Sequence, residues 1–274
     1  AAEDGAPTEA QTREARQQIR DVEAKYSKEL ADGSWVNLTP TGKPSELTKG
    51  QWVQTRTDNF KKFFGDWEND PANSSKAVNE NTGEPLVVYH GRGEDFSVFN
   101  TSGGTGKTYG TGAFFTDRQA VADTYAKGKN DNILPAYISF KNPLTIQALG
   151  KNWDRLDSKV KLNLNKGNTN TLGKMFPDEF KYDDYLSTDD LARWARNNGY
   201  DGVIFNNVKD TGSSGKYVTD ESFEPSNNFV VFNPNQIKST IGNIGTFDNA
   251  NNDIRFSDTE NQQPKTGNTV SQIK

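Results

Sequence analysis

The residues best suited to chemistry in this chain are a histidine and a glycine at the end of an apolar run. His90 is the only histidine in the sequence, and Gly91 follows it directly. Val87, Val88 and Tyr89 before them favour a β-strand. An imidazole can hydrogen-bond through both nitrogens, and glycine lets another group approach the main chain closely. The pair is therefore a candidate ligand site at the rim of a sheet, although a strand-end histidine bonded to its neighbours explains the same residues equally well.

The composition excludes several kinds of chemistry. With no cysteine and one histidine among 274 residues, thiol chemistry and disulfides are excluded, and we expect no metal site. The net charge of −5 argues weakly against binding a nucleic acid through its phosphates. No apolar run approaches the roughly 18 residues of a membrane span, so no membrane partner is expected. The first residues do not resemble a signal peptide, and the missing initial methionine suggests a fragment or a processed piece.

Helices are predicted ahead of the histidine. Thr8 and Gln11 form the pattern of a capping box, which predicts a helix to about Asp32. A second helix is predicted to begin near Thr48. It leads into a group of large aromatic residues, which we expect to pack against the main domain: Trp52, Phe60, Phe63, Phe64 and Trp67. A site for an aromatic ligand is the alternative for this group.

A glycine-rich stretch at residues 103–112 has some features of a phosphate-binding loop. That motif requires glycine five residues before Gly106, where this chain has Thr101. It also requires a helix to follow, where a strand is predicted here. We therefore reject the phosphate loop and interpret the stretch as a mobile loop, with a flap over the neighbouring site as our hypothesis.

Short strands separated by single helices predict a mixed α+β domain over about residues 84–247. Strands are expected near 86–90, 112–116, 133–140, 200–205 and 228–233, and helices near 118–127 and 188–199. We divide the chain into a helical N-terminal extension at 1–83, a domain at 84–257 and a disordered tail at 258–274. Residues 143–186 are rich in asparagine and lysine and allow no assignment.

Three motifs follow one another along these strands. They are Tyr89-His90-Gly91, the run from Gly112 to Asp117 with Tyr125 eight residues after the aspartate, and the last strand from Phe229. Together they resemble the ADP-ribosyltransferases of the diphtheria-toxin and poly(ADP-ribose)-polymerase class. The end of the last strand, with a later Asp-Ile-Arg-Phe-Ser at 253–257, resembles the subgroup found in phage polyvalent and head-morphogenesis proteins. The resemblance implies an α+β fold with a split mixed β-sheet.

The resemblance also implies a site for NAD. In the family the histidine hydrogen-bonds a ribose hydroxyl and the glycine backbone holds the carboxamide of nicotinamide, which assigns these roles to His90 and Gly91. Two aromatic rings sandwich the nicotinamide. Tyr125 matches one ring, and Phe114 holds the place of the other, which is usually a tyrosine. Ala122 stands where some members have a serine, so that contact to the carboxamide is absent. The neighbouring residues that we count with the NAD site are Arg92, Phe115 and Thr116.

Asn228 departs from the family pattern. It stands near the head of the last strand, where the family has a glutamate that polarises the ribose 2′-hydroxyl. The reaction passes through a positively charged ribosyl group, which a carboxylate stabilises and an amide can only orient. We count Asn228 with His90 and Tyr125 as catalytic residues, and we expect Asn228→Glu to speed the release of nicotinamide. Glu221 or Glu224 could supply an acid from the preceding loop.

The resemblance therefore predicts a mono-ADP-ribosyltransferase of toxin or effector type that uses NAD and no metal. Polymer synthesis is not expected, because chain elongation in the family depends on the missing glutamate. Asn228 leaves open an inactive NAD-binding or protein-interaction module and an NAD glycohydrolase. A host protein is the expected acceptor, with nucleic acid as the alternative. The expected place of action is the host cytoplasm after delivery, or a phage particle or a secreted form.

Overall fold

A computed structural model describes residues 6–92, 98–101, 111–126, 132–164, 168–210, 212 and 224–254. Within these residues, strands and helices form a mixed α+β fold, as the sequence predicts. The helices are α1 Glu9–Lys25, α2 Ser27–Asp32, α3 Lys49–Gln54, α4 Asp58–Phe64, α5 Gln119–Asp123, α6 Leu172–Met175 and α7 Thr188–Asn197. The strands are β1 Val88–Arg92, β2 Ala113–Thr116, β3 Asn132–Ile138, β4 Leu144–Gln147, β5 Lys161–Leu164, β6 Asn168–Thr171, β7 Gly202–Val208, β8 Ser226–Val231 and β9 Ile237–Ser239.

The strands form one nine-stranded sheet in the order β6-β5-β4-β7-β8-β2-β1-β3-β9. The β4–β7 pair is parallel, and the other described pairs are antiparallel. The sheet is therefore mixed. Strands β8, β2 and β1 are neighbours near its middle, although they are far apart in the chain. This neighbourhood brings the three sequence motifs together.

Alternate residues of the strands fill two cores, one on each face of the sheet. The first core holds Val203 and Val230 against Leu191 of α7. The second core contains Phe229 together with Val88 and residues of β2, β3 and β9. The apolar second half of β8, from Phe229 to Val231, follows from this arrangement, because both faces of the strand are covered there.

Four of the five aromatic residues that were expected to pack against the domain form a cluster with Tyr137 of the sheet, whereas Trp52 packs among the N-terminal helices. Phe60 contacts Tyr137 of β3 and Phe247, with ring centroids 4.9 Å and 5.0 Å apart. The buried Arg56 guanidinium lies 3.6 Å from the Trp52 ring centroid and pairs with Glu84 at 3.3 Å. The helices and the sheet therefore share buried contacts. The limits at 83 and 257 stay predictions.

Several boundaries differ from the expected ones. The first predicted helix is interrupted at Tyr26, so it becomes α1 and α2. Helix α5 ends at Asp123 rather than near 127, and β8 begins at Ser226, two residues before Asn228. Residues 143–186, which allowed no assignment, contain β4, β5, β6 and α6.

Two regions named in the sequence analysis lie outside the described residues. They are the glycine-rich loop at 103–110 and the tail at 258–274. In the described ranges, no helix combines the length and the apolar character needed to cross a membrane.

Candidate active site

His90 is held at the rim of the sheet by a bond to the neighbouring strand. Its Nδ1 lies 2.7 Å from the carbonyl oxygen of Phe114 on β2. A carbonyl oxygen can only accept a hydrogen bond, so Nδ1 carries a hydrogen atom. In the neutral imidazole, Nε2 is then a hydrogen-bond acceptor, which suits a hydroxyl donor.

Two phenyl rings fix the plane of the imidazole. The His90 ring centroid lies 5.0 Å from that of Phe99 and 5.3 Å from that of Phe115. The Phe115 side chain is 2% exposed and belongs to the second core. A ring so deeply buried offers little surface to a ligand, so any contribution of Phe115 to a cofactor site would pass through His90.

The structure gives a packing reason for glycine at position 91, which the sequence did not reveal. A Cβ atom at this position would lie 1.9 Å from the carbonyl oxygen of Ala122 and 2.9 Å from the nitrogen of Ala126. Glycine is therefore needed for the end of α5 to lie against β1. We attributed Gly91 to the approach of a ligand, but on its Cβ side the close neighbour is the backbone of α5. The contact of Gly91 with the end of α5 fixes the position of the Tyr89-His90-Gly91 motif relative to the motif that ends in Tyr125.

Tyr125 follows directly on the α5 turn and is 38% exposed. Its hydroxyl donates a hydrogen bond to Asp210 Oδ1 over 2.6 Å. Burial, followed by the charge of Asp210 and that hydrogen bond, raises the pKa of the Tyr125 phenol far above its ordinary value. Tyr125 therefore remains a protonated donor with part of its surface open. Phe114 is half-buried and packs against the first core.

Asn228 is the third residue of β8 and pairs across the sheet with Thr116 and Phe205. Its Oδ1 accepts a hydrogen bond from the Ser226 hydroxyl at 3.2 Å, and its Nδ2 donates to Asp210 Oδ2 at 2.8 Å. The two partners fix the orientation of the amide. Because the residue is 4% exposed, its side chain lies behind that of Asp210.

Asp210 is the site residue that the sequence analysis missed. Its carboxylate joins Tyr125 to Asn228 and also accepts the backbone N–H of Gly212 at 3.0 Å. A Cβ at Gly212, where φ is +77°, would meet Thr124 Oγ1 at 2.1 Å, so glycine allows this turn to approach the end of α5.

The sequence contained one signal for Asp210. Asp210 lies just beyond the end of β7, and antiparallel pairing of β7 with β8 brings that end to the start of β8. The register shifts between Phe205 and Val208, where Asn207 has a φ of +56°. Such a bulge redirects the strand. The signal depends on the pairing of two distant strands, which the residues around Asp210 do not reveal by themselves.

The remaining predicted residues occupy different positions around this network. Thr116 is buried and donates to the Ser226 hydroxyl over 3.4 Å, which extends the chain of hydrogen bonds behind Asn228. Arg92 ends β1 and pairs with Asn132 of β3. The Glu224 carbonyl oxygen accepts a hydrogen bond from Arg118. Glu221 lies outside the described residues.

This arrangement places one carboxylate among neutral donors beside a partly exposed aromatic ring. The His90 ring lies on β1 against Phe99 and Phe115 of the second core, whereas Asn228 pairs with Phe205 of the first core, so the described contacts do not join His90 to this network. Such a site can bind a ligand with several hydroxyl groups and a flat ring, and it can stabilise a positive charge that develops near the carboxylate. The Tyr125, Asp210 and Asn228 side chains meet where the end of α5 lies near the start of β8.

Comparison with known proteins gives one match. The sequence model of the family described as "ADP-Ribosyltransferase in polyvalent proteins" matches residues 80–247, which is more than half of the chain. No curated protein and no solved structure matches the chain. The matched range contains β1 to β9, His90, and the hydrogen-bond network of Tyr125, Asp210 and Asn228. The chain therefore belongs to the ADP-ribosyltransferase family of polyvalent proteins, whose members use NAD as a substrate.

Proposed function

We propose that this protein is a mono-ADP-ribosyltransferase that transfers ADP-ribose from NAD to a macromolecular acceptor and releases nicotinamide. The observation that supports this most strongly is the contact of α5 with Gly91. That contact brings the end of α5, which Tyr125 follows, against the strand that carries His90, and the family match covers both elements. A host protein is the acceptor that we expect first, with the toxin or effector role that this implies.

The reaction breaks the bond between ribose C1′ and the ring nitrogen of nicotinamide. The electron pair of that bond moves to the nitrogen, which loses its positive charge, and the positive charge passes to the ribosyl group. A nucleophilic group of the acceptor then forms a bond to C1′ and releases its proton. The protein must hold NAD and stabilise that charge, and it needs no nucleophile of its own.

The described residues fit these tasks. His90 Nε2, as an acceptor, suits a ribose hydroxyl, and the open surface of the Tyr125 ring suits stacking on nicotinamide. Phe114 would form the opposite wall. The Phe99 and Phe115 rings hold the imidazole in one orientation, so the His90 side chain loses less conformational entropy when a ligand binds.

Calorimetric titration with NAD and chromatographic measurement of free nicotinamide test the proposal. We expect NAD to bind and nicotinamide to accumulate, and His90→Ala to weaken binding by about 1–3 kcal/mol, the cost of an unmade buried hydrogen bond. Mass spectrometry of host proteins and nucleic acids after expression would identify the acceptor. No binding heat at millimolar NAD together with no nicotinamide release would contradict the proposal.

A second candidate is an NAD-binding module without turnover. It is favoured by Asn228, which stands in the place of the family's glutamate and is buried between Ser226 and Asp210. NAD binding without release of nicotinamide, and without hydrolysis to free ADP-ribose, would support the module instead. Release of nicotinamide with free ADP-ribose as the sole product would identify an NAD glycohydrolase.

A further inference from the structure

Among the described residues, the carboxylate of Asp210 is held by neutral groups alone. Its partners are the Tyr125 hydroxyl at 2.6 Å, the Asn228 amide at 2.8 Å and the Gly212 N–H at 3.0 Å. In the part of the chain that the structure describes, neither lysine nor arginine forms an ion pair with this carboxylate. Three hydrogen-bond donors therefore fix the orientation of the carboxylate, and none of the three carries a positive charge that would balance it.

The two oxygens of Asp210 are used unequally. Oδ1 accepts from both Tyr125 and Gly212, whereas Oδ2 accepts from Asn228. A carboxylate oxygen has two lone pairs, so Oδ2 keeps the capacity for one more donor. Asp210 is partly exposed and Asn228 is buried behind it, so a ligand that approaches Tyr125 meets the carboxylate before the amide.

We propose that Asp210 supplies the carboxylate that position 228 lacks. Oδ2 accepts a hydrogen bond from the ribose 2′-hydroxyl of NAD, and the negative charge stabilises the positive charge at C1′ as the bond to nicotinamide breaks. Asn228 is then a positioning residue, which holds Oδ2 in place through its amide. This inference rests on the proposed function and names a catalytic residue for it.

A purely structural role for Asp210 gives a different expectation. In that case the carboxylate only fastens Gly212 and its own backbone to Tyr125 and to β8. Its replacement would then loosen the stacking wall, so NAD affinity and rate would fall together. A charge that acts on the transition state affects the rate while the affinity for NAD stays nearly constant.

Asp210→Asn separates the two roles, because it keeps the size of the side chain and removes the charge. We expect the rate of nicotinamide release at saturating NAD to fall about 100-fold, the effect of losing one electrostatic contact in an active site. The dissociation constant for NAD should change less than about 3-fold. The matched control is Asp201→Asn at the other end of β7, whose carboxylate accepts the N–H groups of Lys141 and Asn142. The control should keep the wild-type rate.

A second variant exchanges the two side chains. Asp210→Asn combined with Asn228→Asp keeps one amide and one carboxylate within hydrogen-bond distance and moves the charge by one position. We expect this double variant to recover at least about 10-fold of the rate lost in Asp210→Asn, because a charge again faces the ribose. Thermal unfolding of each variant shows whether the fold is kept.

Three results would overturn the inference while the proposed function survives. They are an Asp210→Asn variant that keeps the wild-type rate, one that loses NAD affinity in proportion to rate, and an exchanged variant no faster than Asp210→Asn. If the wild-type protein binds no NAD and releases no nicotinamide, the proposed function itself fails and the inference fails with it. Selective rate loss with recovery on exchange supports both.

Discussion

At the scale of single residues, the hydrogen-bond partners of Asn228 change how its role is interpreted. From the sequence it is a missing acid, and restoring glutamate should accelerate the reaction. In the structure its amide donates to Asp210 over 2.8 Å and its Oδ1 accepts from Ser226. A glutamate in that place would put a second carboxylate against the first, and like charges so close cannot both ionise without a large cost.

We therefore predict that Asn228→Glu slows nicotinamide release, by at least about 10-fold, because one of the two carboxyls takes up a proton or moves away. Steady-state rates at saturating NAD measure this. Asn228→Gln is the matched control, since it has the same length as glutamate without the charge, and it should remain faster than Asn228→Glu. Acceleration by Asn228→Glu would show that Asp210 does not provide the charge.

At the scale of elements, the contact of α5 with β1 determines where Tyr125 lies. Gly91→Ala would place a methyl group within 1.9 Å of the Ala122 carbonyl, so the helix must move away from the strand. We predict a loss of stability of about 1–3 kcal/mol and weaker binding of NAD, because the stacking wall moves with the helix. Denaturant unfolding and calorimetry measure the two effects.

Gly50→Ala is the control for that substitution. Gly50 lies in the first turn of α3, and a Cβ there meets nothing within 4 Å. Alanine is the better helix former, so this variant should be unchanged or slightly more stable. If Gly91→Ala behaved as Gly50→Ala does, the assignment of Gly91 to the packing of α5 would be wrong.

The edge strand β9 contains a buried lysine, Lys238, and the contribution of this side chain to the stability of the fold depends on pH. Lys238 is 1% exposed and donates to the carbonyl of Asn251 over 2.7 Å. Burial lowers the pKa of Lys238 from 10.5 to about 8, while the charges of Asp248 and Asp253 oppose that shift. Between these two pKa values the unfolded chain binds more protons than the folded one, so stability rises with pH through this window.

We predict that the free energy of unfolding of the wild-type protein, relative to Lys238→Met, increases by about 1–2 kcal/mol between about pH 7 and pH 9.5. Urea unfolding of both proteins at several pH values measures the difference. The comparison removes the effect of other groups, such as the tyrosines, whose titration is common to both proteins. A difference that stays constant with pH would mean that Lys238 keeps its ordinary pKa in the fold.

The sequence predicted the elements that depend on local chemistry and missed those that depend on distant pairing. The capping boxes at Thr8, Thr48 and Ser187 are all formed, because each needs only the next few residues. Strands β5 and β6 are short; β6 is entirely polar, and β5 contributes the buried Leu162, so both depend on pairing with each other and with β4. Asp210 was missed for the same reason, because its partners come from residues 125, 212 and 228.

At the scale of the whole molecule, a buried ion pair joins the N-terminal helices to the segment that leads into β1. The Arg56 and Glu84 side chains are 3% and 1% exposed, and Arg56 also donates to the carbonyl of Leu38. Removing one member of such a pair leaves a buried charge without its partner. The helices and the sheet should therefore unfold together.

We predict that Arg56→Met lowers the free energy of unfolding by about 3–5 kcal/mol and keeps a single unfolding transition. Adding Glu84→Gln should recover part of the loss, because the stranded charge is removed as well. Lys28→Met, which breaks the exposed pair with Asp32, is the control and should leave the unfolding transition nearly unchanged. Two separate transitions, with the sheet unaffected by Arg56→Met, would mean that the helices form an independent unit.

The order of strands in the sheet also has a consequence for how the protein is made. The central neighbours β1, β2 and β8 begin at residues 88, 113 and 226, so two of them leave the ribosome long before the third. Until β8 arrives, β2 lacks one of its two partner strands, and Tyr125 and Asp210 lack the amide that links them to the sheet. A growing chain therefore has its histidine and its aromatic wall but no assembled site. The proposed activity therefore cannot begin before synthesis has reached the last central strand.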